Sequence, residues 1–444
     1  MKIISPKRLL TNVFQTVRNG DIFANSSLDL PFARTKTLDP RITFTRASST
    51  PPGTGAKYVG SDGLIKTATT NEPRFDHNPT TGESLGLLVE EARTNLWQWS
   101  NSATDGQTWN NVGTHLTLTA GQTSPAGDST AIRAADVDSA TAGTFLQRTT
   151  VAPALTAGTS VSYSIFIKPV SIPNTIGIAI FANGTTDGVT GTFSVSGTAI
   201  TGFTMNTNGT GSSGSASYVA YPNGWYRLTV SGIPSTVTMA DCRVRINLGS
   251  YTRSTGTARF DWYGGQFENN AFASSYIPTT GTLGGVTRAA DVASITGANF
   301  SSWYNQTEGT VFANAAAAVA ASILPCYASV DNGTTSERLQ LRRTGSGANP
   351  SYRVVAGGQS IDSATKTIGS PAGFNSQALA YASSNYEGAC NGTLEGLTSI
   401  VNRPTATQLQ IGNGAGSATI NGTIKRLVYW GQRLPNNVLQ AITQ

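Results

Sequence analysis

The sequence predicts an all-β protein: two antiparallel β-sandwiches behind an N-terminal arm that carries a short helix. Three observations predict it. Charged residues make up only 12% of the 444, about half the usual share, which disfavours long solvated helices and favours Ser- and Thr-covered sheets. The 48 glycines, with abundant Ser, Thr and Asn, set turns at short intervals. Between those turns, apolar and polar residues alternate with a period of two, the signature of half-buried antiparallel strands. A chain of this length exceeds one small core and divides into two or three domains.

The elements follow in order. In residues 1–40, Leu9, Leu10, Val13, Phe14 and Val17 fall on one face of a helix that Asn19-Gly20 would stop. That stripe is too small to fold alone, so it docks on its own body or on another protein. Residues 25–37 contain Pro31 and read as an extended arm suited to anchoring on a larger shell. From Arg41 to Trp99, short strands alternate with the turns Pro51-Pro52-Gly53, Asp62-Gly63, Asn78-Pro79 and Thr81-Gly82. Among them Leu85-Gly86-Leu87-Leu88-Val89 reads as a central strand covered on both faces. Residues 100–280 give the clearest series: Val161, Tyr163, Ile165 and Ile167 alternate with smaller or polar neighbours, and Ile176, Ile178 and Ile180 do the same. Strands around Trp225 to Val230 and Val244 to Leu248 follow, and the spacing predicts a jelly roll. A change of texture near residues 295–303 marks a second boundary, after which another strand series runs to Tyr429-Trp430; residues 315–321 read as strand and loop. The expected domains are 1–40, 41–296 and 297–444.

Two flanks match. Ile42-Thr43-Phe44-Thr45-Arg46-Ala47-Ser48 and Gly285-Val286-Thr287-Arg288-Ala289-Ala290-Asp291 both carry Thr-Arg-Ala, and they bracket the strand series as the two ends of one sandwich that meet. Beside the first lie Lys57-Tyr58-Val59-Gly60-Ser61-Asp62-Gly63-Leu64-Ile65, Asn71-Glu72-Pro73-Arg74-Phe75-Asp76-His77 and Leu85 to Leu96. Beside the second lie Phe260-Asp261-Trp262-Tyr263-Gly264-Gly265-Gln266-Phe267-Glu268 and Ala271 to Thr280. Over residues 40–296 these strings resemble a module of tailed-bacteriophage structural proteins (tail fibres, head fibres and capsid-associated proteins) with a carbohydrate-binding-module-like jelly roll between the flanks. The final stretch, Tyr429-Trp430 followed by Arg433-Leu434-Pro435 and a short helix, resembles a laminin G or concanavalin A-like sandwich. The first resemblance implies a fibre-type virion appendage, anchored by its N-terminus to a tail adaptor or capsid protein, assembled as a homotrimer and binding host-surface glycans. A capsid decoration protein that staples shell subunits without binding sugar is the alternative. A glycan-degrading spike is the third.

Composition narrows the field. The net charge of +6 is small for this length and its basic residues are scattered, which argues against nucleic acid. Cys242, Cys326 and Cys390 lack metal or redox spacing and read as buried thiols, as suits a virion protein assembled in a reducing host cytoplasm. No stretch is apolar enough to cross a bilayer, and the N-terminus lacks a signal-peptide core.

Catalytic signals are weak. His77 and His115 stand apart from ligand clusters, and no nucleophile elbow or phosphate loop occurs, so neither metal nor cofactor is expected. Glycan cleavage needs paired carboxylates. Glu90 and Glu91 are adjacent in a strand and point apart, while Asp136, Asp138, Asp261 and Glu268 would converge only through folding. The expected protein is not an enzyme. Sugar binding needs exposed aromatic rings with planar polar groups beside them. The candidates are Trp97, Trp99, Trp109, Tyr221, Trp225 and Tyr251, whereas Trp262 and Trp430 read as core. Asp331, Asn332 and Asn391 sit on glycine turns and are candidates for holding calcium.

Overall fold

The computed structural model describes residues 22–47, 55–101, 110–112, 116–136, 145–149, 158–172, 174–182, 187–233, 240–246, 259–281, 284–317, 324–344, 349–363, 373–398, 400 and 402–444. It is an all-β protein of four large sheets and two two-stranded ribbons. The expected helix on Leu9, Leu10, Val13, Phe14 and Val17 lies outside the described residues.

The middle of the chain forms one sandwich of two six-stranded antiparallel sheets. The first sheet runs Ser212–Ala220, Tyr226–Ile233, Val161–Ser171, Arg259–Glu268, Ala131–Asp136, Leu116–Gln122. The second runs Ala199–Asn208, Gly188–Ser196, Thr175–Ala182, Ala240–Ile246, Phe145–Thr149, Asn110–Val112. Tyr163, Ile165 and Ile167 from one sheet and Ile176, Ile178, Ile180 and Phe193 from the other fill the space between them, as the period-two pattern requires. The strand Val161–Ser171 is buried on its other face as well, because Ser162, Ser164 and Phe166 are also covered. That second covering comes mostly from the sandwich's own Tyr221, Trp225, Tyr263 and Tyr276, joined from outside it by Ile65.

The other sandwich draws on both ends of the chain. One of its sheets runs Thr393–Leu394, Asn385–Cys390, Asn375–Ala382, Gly309–Ala317, Gly422–Trp430, Ser84–Val89, Arg74–His77, with Leu28–Leu30 paired to the far end of Gly422–Trp430. The facing sheet runs Thr43–Thr45, Val292–Thr296, Gln408–Ile411, Pro325–Asp331, Arg338–Arg343, Pro350–Ala356, Gln359–Ser363. Leu28, Leu30, Phe32, Leu87 and Val89 share a single core with Ile295, Val311, Tyr327, Leu341 and Tyr429. A C-terminal helix, Asn436–Ile442, covers the outer face of the first of these sheets over Phe312, Val428 and Trp430. Phe23 joins that layer, 5.2 Å from the Phe312 ring.

The sheets therefore do not follow the expected divisions at 40 and 296. The six-over-six sandwich is inserted into the other, which we call the frame. The flanks do meet, as their matching sequences imply: Thr43–Thr45 pairs with Val292–Thr296, and Arg93–Asn95 pairs with Val286–Arg288. They close the insertion point of the frame rather than the ends of a separate domain. The N-terminal segment is likewise no arm beyond residue 22. Leu28, Asp29 and Leu30 bond in register to Tyr429, Val428 and Leu427, and the two leucines are only 1% exposed. Trp262 and Trp430 are core residues, as expected.

Deleting residues 1–40 tests this difference. Leu28, Leu30 and Phe32 leave the core together, each loss costing about 2–4 kcal/mol, comparable in sum with the whole stability of a domain. The shortened chain is expected to lose the cooperative melting transition of the frame, whereas removal of an anchoring arm would leave it unchanged.

Candidate functional site

The two Thr-Arg-Ala flanks bring their arginines to one place. Arg46, at the end of Thr43–Thr45, donates from Nη1 to Asp291 Oδ1 at 2.9 Å. Arg288, at the end of Val286–Arg288, lies 3.9 Å from Asp291 Oδ2 and 3.4 Å from Glu90 Oε2. Arg74, from the strand Arg74–His77, bridges both acids: its Nη1 is 2.8 Å from Glu90 Oε2 and its Nη2 pairs with Asp291. All five side chains are buried. The backbone completes the lattice, with Arg46 donating to the carbonyls of Thr69 and Glu72, Arg288 to that of Glu91, and the Glu90 amide to Asp291.

Burial alone would raise the Glu90 carboxyl, but Arg288 and Arg74 outweigh it and hold the group down at about 2. Burial pulls Arg46 and Arg288 below the usual arginine range, while Asp291 and Glu90 more than offset it for Arg74, which is raised. Three guanidiniums and two carboxylates from four separate segments thus pair where water is excluded, with one positive charge in excess. All five belong to the frame.

The inserted sandwich touches this cluster through Ser275, which donates to Glu90 from its amide at 2.8 Å and its hydroxyl at 2.6 Å. Nearby, Glu268 accepts from the Ser274 amide and hydroxyl and from Gln266 Nε2, and burial keeps its carboxyl above the usual range despite those bonds. Gly264, at φ +64 in the register shift opposite Phe166, brings the strand close to Tyr276, where a Cβ would sit 3.1 Å from both rings.

Between the cluster and the outer face of the inserted sandwich lies a cavity of about 170 Å³. Its walls are the rings of Tyr58, Phe166, Tyr221 and Tyr276, and its polar groups include Asp76 and Arg227. Tyr58 comes from the ribbon Ala56–Val59/Ile65–Ala68, Asp76 from a frame strand, and the remaining walls from the inserted sandwich, so the cavity exists only where the two meet. Asp76 Oδ1 accepts the Val59 amide at 2.7 Å, and burial pushes its carboxyl up to about 6 even though Val59 and Arg74 favour the charged form. Arg227 lies 5.4 Å over the Phe166 ring and donates to Ser164 Oγ at 2.9 Å. Tyr221 packs edge-on to Phe166 at 5.2 Å, and burial pushes its phenol up to about 12. Lys57 and Glu90 also line the cavity; aromatic rings beside charged groups of both signs suit a small polar ligand with apolar faces and several hydroxyls.

The residues expected to bind sugar separate in the structure. Tyr221 lines the cavity. Trp97 is fully buried and stacks on Tyr163 at 5.2 Å, and Trp225 is 1% exposed among Phe166, Tyr263 and Tyr276; both are core, with no face free for a ligand. Trp99 is partly exposed and bridges to Thr280 beside Gly281. Trp109 and Tyr251 lie outside the described residues, as do His115 and Asp138. His77 is buried with Nδ1 3.0 Å from the Val59 carbonyl. Glu91 pairs with Arg93 rather than with Glu90's partners, Asp261 pairs with Arg133, and Asp136 is buried.

The three candidate calcium donors do not converge. Asp331 already accepts from Ser329, the Gly333 amide, Gln408 and Gln410, so hydrogen-bond donors fill the space a cation would take. Asn332 caps its own turn through Thr334, and Asn391 bonds Ser376 and Asn375. Among the described residues no three His, Cys, Asp or Glu side chains form a metal-binding group. Cys326 and Cys390 are buried free thiols, both pushed up to about 12 by burial. Among the described residues no helix is long and apolar enough to cross a membrane.

Tyr58, Asp76 and Arg227 were not among the expected binding residues. Tyr58 and Asp76 sit in the strings beside the first flank, where residue type alone gives no signal that marks them.

No family model matches the sequence, and no curated protein matches it. Among solved structures, the chain is similar to the CBM40 module of the Ruminococcus gnavus IT-sialidase, with 17% identity over 32% of this chain and 84% of that one and a TM-score of 0.28. It is similar to a leech intramolecular trans-sialidase, with 18% identity over 33% of this chain and 24% of that one and a TM-score of 0.28. It also resembles the LG4-5 domains of the mouse laminin α1 chain, with 9% identity over 77% of this chain and 88% of that one and a TM-score of 0.21. Scores this low carry no argument about ligand or activity.

Two measurements test the site. Asp291→Asn leaves Arg46 and Arg74 partly unpaired in the interior and is expected to cost about 3–5 kcal/mol in urea or thermal unfolding. Asp76 tests the cavity wall. A carboxyl whose folded value is raised to about 6 from an unfolded value of about 3.9 stabilises the fold at low pH. That stability is lost as pH rises through 6. Asp76→Asn, which keeps an acceptor for the Val59 amide, is therefore expected to raise stability by about 1–2 kcal/mol near pH 8 and to leave it unchanged near pH 4.

Proposed function

We propose that this chain is a structural protein of a tailed-bacteriophage virion, a fibre-type appendage that holds a host-surface glycan in the cavity between its two sandwiches without cleaving it. The observation that carries the glycan reading is the convergence of Tyr58, Tyr221, Asp76 and Arg227 on one cavity, with the buried Phe166 ring behind them. At about 170 Å³ it is of the size of a single pyranose. Ring faces stack on the C–H side of such a sugar, while the carboxyl and guanidinium take its hydroxyls.

The virion reading is supported by the flank strings of residues 40–296, which resemble those of phage structural proteins. Because residues 28–35 are built into the frame, anchoring to a tail adaptor or capsid falls to the segment before them, with Leu9, Leu10, Val13, Phe14 and Val17 as its apolar face. The carboxylates support retention of the bound glycan. Glycoside hydrolysis draws on two acids about 5–10 Å apart. Among the described residues lining the cavity, Glu90 is committed to Arg74, Arg288 and Ser275, which leaves Asp76 without a second acid.

A glycan array probed with the full chain, followed by titration of its best ligand against Tyr58→Ala and Tyr221→Ala, tests the reading. At least a tenfold loss of affinity is expected from each variant, with the ligand recovered intact. A silent array, or affinity unchanged in both variants, overturns it.

A further inference from the structure

The inserted sandwich ends on one side in two long strands that have no outer neighbour among the described residues. Ala199–Asn208 is the edge of one six-stranded sheet and Ser212–Ala220 the edge of the other, joined by a tight turn through Gly209. Exposed edges of this length offer a row of unpaired amides and carbonyls, and proteins that stay monomeric blunt them with charge, proline or a covering element. Here no charged residue occurs between Asp187 and Arg227, and neither edge strand contains proline.

Side chains add a second observation. Of the four large apolar side chains exposed among the described residues, two sit on these edges: Phe203 at 45% and Val219 at 47%. Phe203 is held edge-on to Tyr218 at 6.3 Å and tilted on Phe193 at 6.0 Å, so its exposed ring is fixed in place at the seam between the sheets. On the outer faces of the same strands Thr204, Asn206, Ser215 and Ser217 are exposed, small and neutral.

We propose that this side of the inserted sandwich is an interface to a second copy of the chain. A twofold axis running through both sheets would pair Ala199–Asn208 with its own counterpart and Ser212–Ala220 with its own, each antiparallel. The two six-stranded sheets would then continue across the axis, and Phe203 would be buried against the partner copy. Such pairing is isologous and closes at two copies rather than the three that the resemblance to phage fibres implies. Strands of ten residues span about 33 Å, and a sandwich side is about 20 Å thick, giving about 650 Å² per partner and about 1,300 Å² in all, enough for a stable interface. The absence of charge removes both the repulsion that would keep copies apart and the desolvation cost of burying ions. This interface does not depend on the glycan reading.

The test is the mass of the full chain in solution by sedimentation and light scattering at about 1–50 µM, for the native sequence and for the double variant Thr204→Lys, Ser217→Lys. These positions are exposed on the outer surface of the edges, so the variant is expected to melt like the native chain. The native chain is expected to have twice the single-chain mass, and the variant's dissociation constant to rise at least about a hundredfold. Amide exchange supplies a check that needs no variant: outer-edge amides of residues 199–208 and 212–220 are expected to exchange more slowly at high concentration than at low. A native chain that stays single, an assembly unaffected by the two lysines, or edge amides indifferent to concentration overturns the proposal. So does an edge that binds a glycan through Phe203 while the chain remains single.

Discussion

The contact on which the rest of the molecule depends is the meeting of Arg46, Arg74 and Arg288 with Glu90 and Asp291. Buried charges cost several kcal/mol each to desolvate, so a cluster of five contributes less to net stability than to specificity: any arrangement that separates them strands an ion in the interior. The residues lie far apart in sequence: Glu90 and the pair Arg288 and Asp291 flank the points where the chain leaves the frame and returns to it, and Arg46 and Arg74 join them from earlier frame segments. The cluster thereby ties the start of a long insertion to its end, in a chain whose Cys326 and Cys390 are buried free thiols.

The same constraint shapes the cavity. Glu90 faces the charge cluster on one side and Ser275 of the inserted sandwich on the other, so the clamp that closes the frame also sets how the second sandwich sits over it. Tyr58 and Asp76 reach the cavity from the frame side, and Phe166, Tyr221 and Arg227 from the other. A ligand held there would touch both sandwiches at once. The raised carboxyl of Asp76 follows from that enclosure, since the wall that excludes water from a ligand also excludes it from the acid.

Much of this was legible in the sequence. Period-two runs such as Val161 to Ile167 gave both the strands and the inward face, because alternation and burial have one geometric cause. The matching flanks announced a junction, and the repeated arginines within them turned out to face one acid. The nesting was not legible. Leu28-Asp29-Leu30 is too short a strand to carry a pattern, and its partner lies about four hundred residues away, so it read as an arm beside Pro31. The boundary placed at 296 followed a change of composition, yet Val292–Thr296 is hydrogen-bonded on one side to the N-terminal flank and on the other to Gln408–Ile411. For the site, tryptophan was a poor guide. Trp97 and Trp225 are large enough to serve as core pillars, and the aromatic rings that reach the cavity are mostly tyrosines, whose hydroxyls tolerate partial exposure.

The central claim is that the frame is a complete sandwich into which the other is set, closed at the insertion point by charges of its own. Because Asn95 faces Val286 across a two-stranded ribbon, residues 96–285 can be replaced by an Asn-Gly hairpin turn without stretching the chain. The most direct measurement is the thermal unfolding of that shortened protein, followed by circular dichroism and calorimetry. A β-rich spectrum and a single cooperative transition, abolished by Asp291→Asn, is the result the nested architecture requires. A chain that is unfolded or melts without cooperativity would contradict it.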